Sequence, residues 1–300
     1  MKEFKSGFVS LIGKTNAGKS TLLNSLVNEK VAITTPKTQT TRTAIKAIIN
    51  TENSQIIITD TPGIHKGKTK LSKTMIETSY TMIGEVDVVL FLIDGTEKVR
   101  SYENDEILEK IKQAKKPTIL VINKVDEVGK EKVLKLIEEY KNEYDFKAVV
   151  PISALKKIQV QELIEEIEKV LPVGPKYYED DEYTDQTQRE LAGEIIREKA
   201  LKLLNEEVPH GLYVEINKFK YRKTTKKEPI YDIDATIYCL RESHKGIIIG
   251  KGGAMLKRIS TYARQDIEKM LDCKVNLKVW VKVKEDWLNN DTIVNKFKLS

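Results

Sequence analysis

Residues 13–20 read Gly-Lys-Thr-Asn-Ala-Gly-Lys-Ser, the spacing G-x-x-x-x-G-K-S, and they follow directly on the apolar run Phe8, Val9, Ser10, Leu11, Ile12. A strand, a glycine-bearing loop and a helix are the setting in which this pattern binds a polyphosphate. Glycines let successive backbone N–H groups turn inward, Lys19 brings a mobile positive charge, and the Ser20 hydroxyl can ligate Mg²⁺. Gly13 and Gly18 bracket Lys14, Thr15, Asn16 and Ala17, while Thr21 lies in a helix that begins near Lys19 and whose Leu22, Leu23 and Leu26 fall at helical spacing. This part of the chain is thereby committed to an α/β sheet that points a helix N-terminus at an anion.

The rest of the first half agrees. Short apolar runs at 7–12, 45–50, 55–59, 86–93, 117–122 and 147–152 alternate with longer amphipathic stretches, the pattern of a doubly wound, mostly parallel sheet. The runs at 86–93 and 118–122 are apolar on both faces, as expected of central strands covered by helices on each side. A length of 300 residues favours two domains. The first is expected over 1–171. Pro172, Val173, Gly174, Pro175 and a Tyr/Asp/Glu-rich stretch suggest a linker over 172–185, and a second domain follows over 186–300. There the pattern predicts a helix at 186–204, strands at 211–221 and 230–241, a helix pair around 244–271, a strand at 275–284 and a short C-terminal helix.

Three segments past expected strand ends narrow the ligand to a guanine nucleotide. Asp60-Thr61-Pro62-Gly63 offers a carboxylate for Mg²⁺ and a glycine whose N–H can approach a γ-phosphate unobstructed. Asn123-Lys124-Val125-Asp126 carries the base-reading chemistry. Asp126 accepts from the guanine ring N–H and 2-amino group, donors that adenine does not present there, so discrimination of about 10⁴-fold is expected. The Asn123 amide is expected on the other edge of the base, and the Lys124 stem along its plane. Ser153-Ala154-Leu155 would put the Ala154 N–H on the guanine carbonyl oxygen. Between the first helix and second strand, Thr41, with Thr40 as the alternative, is the candidate to bind Mg²⁺ and the γ-phosphate. Ile64 stands where many small signalling GTPases carry a water-positioning glutamine, so unaided hydrolysis should be slow. Its candidate catalytic groups are Lys19, Thr41, Gly63 and Asn16. Asn16 either caps the loop or, as in some related GTPases, holds K⁺.

In the second half, Gly250-Lys251-Gly252-Gly253 fits the G-x-x-G clamp that passes a single-stranded RNA backbone close to two helices. Lys245, Gly246, Ile249, Lys257 and Arg258 surround it. Residues 172–207 carry 5 Lys/Arg against 10 Asp/Glu, whereas 208–284 carry 17 against 8, an excess of nine positive charges (17 − 8) on the module that would meet RNA. The basic stretch 218–227 is either a solvated hairpin tip or a further RNA contact.

Cys239 and Cys273 are unpaired by any metal-ligand spacing and the three histidines add none, so free thiols are expected. No run approaches the ~18 apolar residues of a membrane span, which leads to the expectation of a cytoplasmic protein.

Taken together, 8–155 resembles a TRAFAC-class GTPase and 186–284 a type II KH domain, in the order of the Era family, over nearly the whole chain. Gln39-Thr40-Thr41-Arg42, Asp60-Thr61-Pro62-Gly63-Ile64-His65 and 246–253 carry the likeness. The single phosphate loop excludes a related family with two tandem GTPase domains. The resemblance implies a Mg²⁺-dependent enzyme that cycles between GTP and GDP, acts as a monomer, binds the 3′ end of 16S ribosomal RNA and assists maturation of the 30S subunit. It also implies peripheral association with the inner face of the cell membrane, for which the sequence shows no anchor. A membrane-associated signalling GTPase without RNA work, and an RNA chaperone with a vestigial nucleotide site, remain the competing expectations.

Overall fold

In the computed structural model, described over residues 3–35, 37, 40–65, 67–97 and 101–295, the chain divides into two units. Gln39, one of the residues carrying the resemblance, lies outside the described residues.

The first unit is an α/β sheet. Strands β1 (Lys5–Ile12), β2 (Ile45–Asn50), β3 (Ser54–Asp60), β4 (Val88–Asp94), β5 (Thr118–Asn123) and β6 (Ala148–Pro151) run in the order β2-β3-β1-β4-β5-β6. All neighbours are parallel except β2, which pairs antiparallel with β3. Helices α1 (Lys19–Val27), α2 (Lys70–Glu85), α3 (Tyr102–Ala114), α4 (Lys130–Lys141) and α5 (Val160–Val170) cover it. The residues of β4 explain its uninterrupted apolar run: Val88, Leu90 and Leu92 enter the apolar cluster of α1 and α5, while Val89, Phe91 and Ile93 enter the cluster of α2 and α3. Both faces of a central strand are thus removed from water.

The stretch 172–185, expected to be a linker, packs as part of this first unit. Its backbone adds to the sheet's periphery: Ser6 N–H donates to Pro172 O (3.1 Å), Gly174 N–H to Phe4 O (3.1 Å), and Ile48 N–H to Tyr183 O (3.0 Å). The buried Gln55 amide accepts from Tyr177 and Tyr178 N–H (2.7 and 3.0 Å) and donates to Tyr178 O (2.9 Å). Proline and glycine here mark a backbone that cannot be helical, and they say nothing against its being tied down.

The second unit joins Ile33–Thr40 to Gln186–Val294. Its elements are α6 (Gln188–Leu203), β7 (Tyr213–Lys223), β8 (Pro229–Cys239), α7 (Glu242–Ile249), α8 (Ala254–Leu271), β9 (Lys274–Val283) and the short α9 (Asp291–Val294). The sheet order is β7-β8-β9, antiparallel then parallel. Ile233, Ala235, Ile237 and Cys239, alternate residues of β8, are fully buried against Ile196, Ala200, Ile259, Ala263 and Ile267 of α6 and α8. A capping box at Thr187 and Glu190 starts α6. The segment Ile33–Thr40 is held along α6: Thr34 N–H donates to Glu198 Oε1 (3.3 Å), Lys37 Nζ to Leu204 O (2.6 Å), and the Arg197 guanidinium to Thr40 O. The sequence pattern places this segment in the first domain, and these bonds move it to the second.

Candidate nucleotide site and nucleic-acid interface

The phosphate loop begins where β1 ends, and its geometry requires glycine at two places. A Cβ on Gly13 would lie 2.3 Å from Leu92 O. Gly18, at φ +97°, would put one 2.2 Å from the Asn123 amide nitrogen. Asn16 sits exposed in the left-handed region at φ 65°. Lys19 is buried, and its Nζ donates to Gly13 O and Lys14 O, both at 2.9 Å. Burial lowers the Lys19 ammonium to about 8, with the Asp60 charge opposing that shift.

Asp60, at the end of β3, is also fully buried. Its Oδ2 accepts from Ser20 Oγ (2.6 Å) and Thr41 Oγ1 (3.1 Å), and the two hydroxyls are 2.8 Å apart. Burial raises the Asp60 carboxyl, against the pull of Lys19, Ser20 and Thr41. Its Oδ1 is buried with no hydrogen-bond partner among the described residues. Two hydroxyl oxygens converging on a buried carboxylate with an unused lone pair make a set of three hard oxygen donors that fits Mg²⁺. Of the two threonine candidates, only Thr41 joins this cluster: Thr40 Oγ1 turns to Lys37 O (2.7 Å) and Thr35 Oγ1 (2.9 Å).

Beyond Asp60, the Thr61 hydroxyl donates to Leu11 O (2.8 Å) and Pro62 leads into Gly63. Gly63 and Ile64 lie alongside the phosphate loop. Ile64 N–H donates to Gly13 O and Thr15 N–H to Ile64 O, both at 3.2 Å, and a Cβ on Gly63 would meet Thr15 Cα at 2.8 Å. The Ile64 side chain is buried in the cluster containing Ile12, Ile83 and Phe91, so it contributes nothing to positioning water.

At the base-reading end, Asn123 Oδ1 accepts from Ala154 N–H (3.0 Å), and Nδ2 donates one hydrogen to Ala17 O (2.9 Å), leaving its second for the base. Asn123 is 2 % exposed, so the desolvated amide must find protein partners, and it does so by tying the phosphate loop to the Ser153–Leu155 turn. Ser153 is buried and its Oγ accepts from Lys156 N–H (3.1 Å), while Leu155 projects 71 % exposed. Asp126 lies in a one-turn 3₁₀ helix, Val125–Glu127, and its carboxylate is exposed, with no partner among the described residues. Lys124, at φ 65°, turns its amine to Asp94 (2.5 Å). Sequence reasoning misses Asp94 and Glu97, although a carboxylate closing an apolar strand is part of the signal that singles out Asp60.

In the second unit, Gly250, Gly252 and Gly253 have φ of 73°, 59° and 80°, and join α7 to α8. Side chains at Gly252 and Gly253 would meet nothing within 4 Å, so these glycines serve backbone conformation and approach, not packing. Gly246, Lys251, Lys257 and Arg258 are exposed, and Lys245 and Ile249 half-buried. Ile247 on α7 is 51 % exposed, an apolar side chain that sequence reasoning does not assign to this surface, although it stands beside Gly246. Both cysteines are free. Among the described residues no helix is long and apolar enough to cross a membrane.

A phosphate loop, a Ser-Thr-Asp oxygen cluster around a buried carboxylate and an Asn-Lys-Val-Asp segment with an exposed carboxylate on one sheet, followed by a G-x-x-G module, define a GTPase joined to a KH domain. Comparison with known proteins agrees: residues 8–124 match the model described as "50S ribosome-binding GTPase" and 207–288 match the KH domain. GTPase Era of Clostridium kluyveri is 51 % identical over 293 residues, 97 % of this chain and 98 % of the relative, and that of Caldanaerobacter subterraneus subsp. tengcongensis is 50 % identical over 98 % and 97 %. The chain belongs to the GTPase Era family. Two solved structures superpose over nearly the full length. Era in complex with MgGDPNP and nucleotides 1506–1542 of 16S ribosomal RNA has a TM-score of 0.94 at 42 % identity, covering 99 % of this chain and 100 % of that one. A point variant of Aquifex aeolicus Era bound to GDP·AlF₄⁻ has a TM-score of 0.93 at 41 % identity, with the same coverage.

Proposed function

We propose that this chain binds and hydrolyses GTP in the first unit and, through the second, holds the 3′ region of 16S ribosomal RNA during assembly of the 30S subunit in the cytoplasm. The observation that carries this reading is the near-full-length likeness to an Era structure that contains both MgGDPNP and 16S RNA nucleotides.

Lys19 and the loop N–H groups bind the β- and γ-phosphates, Ser20, Thr41 and Asp60 hold Mg²⁺, and Asp126 reads the 2-amino group and ring N–H of guanine. The metal, when bound, neutralises charge that develops on the phosphoryl oxygens. Asn123 fixes the Ala154 turn relative to the phosphate loop and offers its second amide hydrogen to the other edge of the base. With Ile64 buried, hydrolysis relies on ordering of the two loops that carry Thr41 and Gly63, and the exposed Asn16 offers an amide oxygen to K⁺. Faster turnover in KCl than in NaCl supports that role, and equal rates remove it.

RNA binding and hydrolysis are coupled through Ile33–Thr40, which belongs to the RNA-binding unit by its bonds to α6 and is followed at once by Thr41. The test of the whole reading is to crosslink the protein to RNA in cells and map the bound nucleotides, with RNA affinity measured in GTP-analogue and GDP states. Sites outside the 16S 3′ region reject the RNA assignment, and equal affinities reject the coupling.

A further inference from the structure

Lys124 contributes to base recognition only if its four-carbon stem is held in place, and its backbone conformation alone does not hold it. The structure supplies the anchor. Asp94, the last residue of β4 and the register partner of Asn123, takes the Lys124 amine on Oδ2 at 2.5 Å. Its other oxygen is fixed by its own turn, accepting from Thr96 N–H (2.9 Å) and Thr96 Oγ1 (2.7 Å). The turn is fixed in its own right. Gly95 N–H donates to Asn123 O (2.8 Å), a Cβ on Gly95 would approach that same oxygen to 2.8 Å, and Lys132 Nζ caps Thr96 O (2.8 Å). One residue further on, Glu97 pairs with Lys14 of the phosphate loop at 2.7 Å.

We propose that Asp94 is a positioning residue for the guanine nucleotide: by anchoring the Lys124 amine it fixes the lysine stem as a wall for the purine plane beside Asp126. This rests on the reading of the site as a guanine-nucleotide site. An unanchored lysine has to be ordered at the moment of binding, and that cost weakens the complex. The base is common to GDP and GTP, so the effect is the same for both.

The experiment measures dissociation of a fluorescent N-methylanthraniloyl-GDP from the full chain. In Asp94→Asn the amide oxygen retains the Thr96 contacts and the NH₂ group faces the Lys124 ammonium, donor against donor, so the turn is kept and the anchor lost. Dissociation is expected to be about five- to tenfold faster. In a Lys124→Ala background the same change is expected to have no further effect, a non-additivity that a general loosening of the turn would not produce. A D94N rate within about twofold of wild type, or effects that multiply independently, overturns the proposal. If D94N does not fold, Lys124→Met, which keeps most of the stem and removes the amine, must show the same acceleration, and an unchanged rate there overturns it equally. Should the wild-type chain fail to prefer GTP over ATP, the nucleotide assignment fails. A preference for GTP with no effect of D94N sinks only the role of Asp94.

Discussion

Ser20 Oγ donates to Asp60 Oδ2 across 2.6 Å, although the two residues are 40 positions apart, one in the first turn of α1 and the other at the end of β3. The contact places a hydroxyl, a buried carboxylate and, through Thr41, a second hydroxyl around one point. Asp60→Asn keeps the volume and removes the charge. GTP affinity is therefore expected to lose its response to Mg²⁺: EDTA weakens binding to wild type by at least about tenfold, ~1.4 kcal/mol, and has little effect on D60N. Titration calorimetry with and without Mg²⁺ reads this directly, and a variant that still responds like wild type removes Asp60 from the metal site.

Asp126 makes a different prediction because it acts on the base. Replacing its carboxylate with an amide exchanges one acceptor oxygen for a donor, which suits the 2-carbonyl of xanthine and opposes the 2-amino group of guanine. D126N is expected to bind GTP about 10²-fold more weakly or worse, and to prefer XTP. Competition between the two nucleotides measures the inversion, and retained GTP preference would place base recognition elsewhere.

These two residues also mark how far the sequence carries. Gly13, Lys19, Ser20, Asp60 and Asp126 are legible because each is demanded by local chemistry at a strand end, and strand ends follow from apolar runs. The bond between Ala154 N–H and Asn123 Oδ1 is not legible, because it depends on how closely two loops 31 residues apart approach one another. The same limit applies to 172–185. Composition shows that it is irregular, but its backbone bonds to the sheet strands and the buried Gln55 amide reveal that this irregular stretch has been fixed to the sheet. The choice between Thr40 and Thr41 turns on which hydroxyl reaches Asp60, 19 positions beyond Thr41, and two adjacent residues of the same type do not encode that.

For the KH module, Gly252 separates fold from function. Its φ of 59° makes any side chain somewhat strained, yet space is open around it. Gly252→Asp places a carboxylate where the RNA backbone passes. RNA affinity is expected to fall at least about tenfold while GTP binding is unchanged and the fold is kept. Undiminished RNA binding by a folded G252D variant would favour a GTPase whose partner is not RNA.

Asp232 supplies the acid-side prediction. Arg222 donates to both its oxygens (Nε 2.7 Å, Nη2 3.2 Å) and Asn276 to Oδ1 (3.0 Å). The Arg222 bond first, and the Asn276 bond next, hold the carboxyl well below the usual carboxylate range. The folded chain therefore binds this proton less readily than the unfolded one. The stabilisation is complete above the unfolded value near pH ~4 and is lost as pH falls below it. Asp232→Asn is expected to lower stability at about pH 6 by about 1 kcal/mol, and the difference from wild type should shrink steadily as pH falls from ~4 towards ~2. Thermal unfolding of both proteins across that range checks it. A gap that stayed constant would mean that Asp232 stabilises the sheet by packing alone, and that its ion pair with Arg222 contributes nothing.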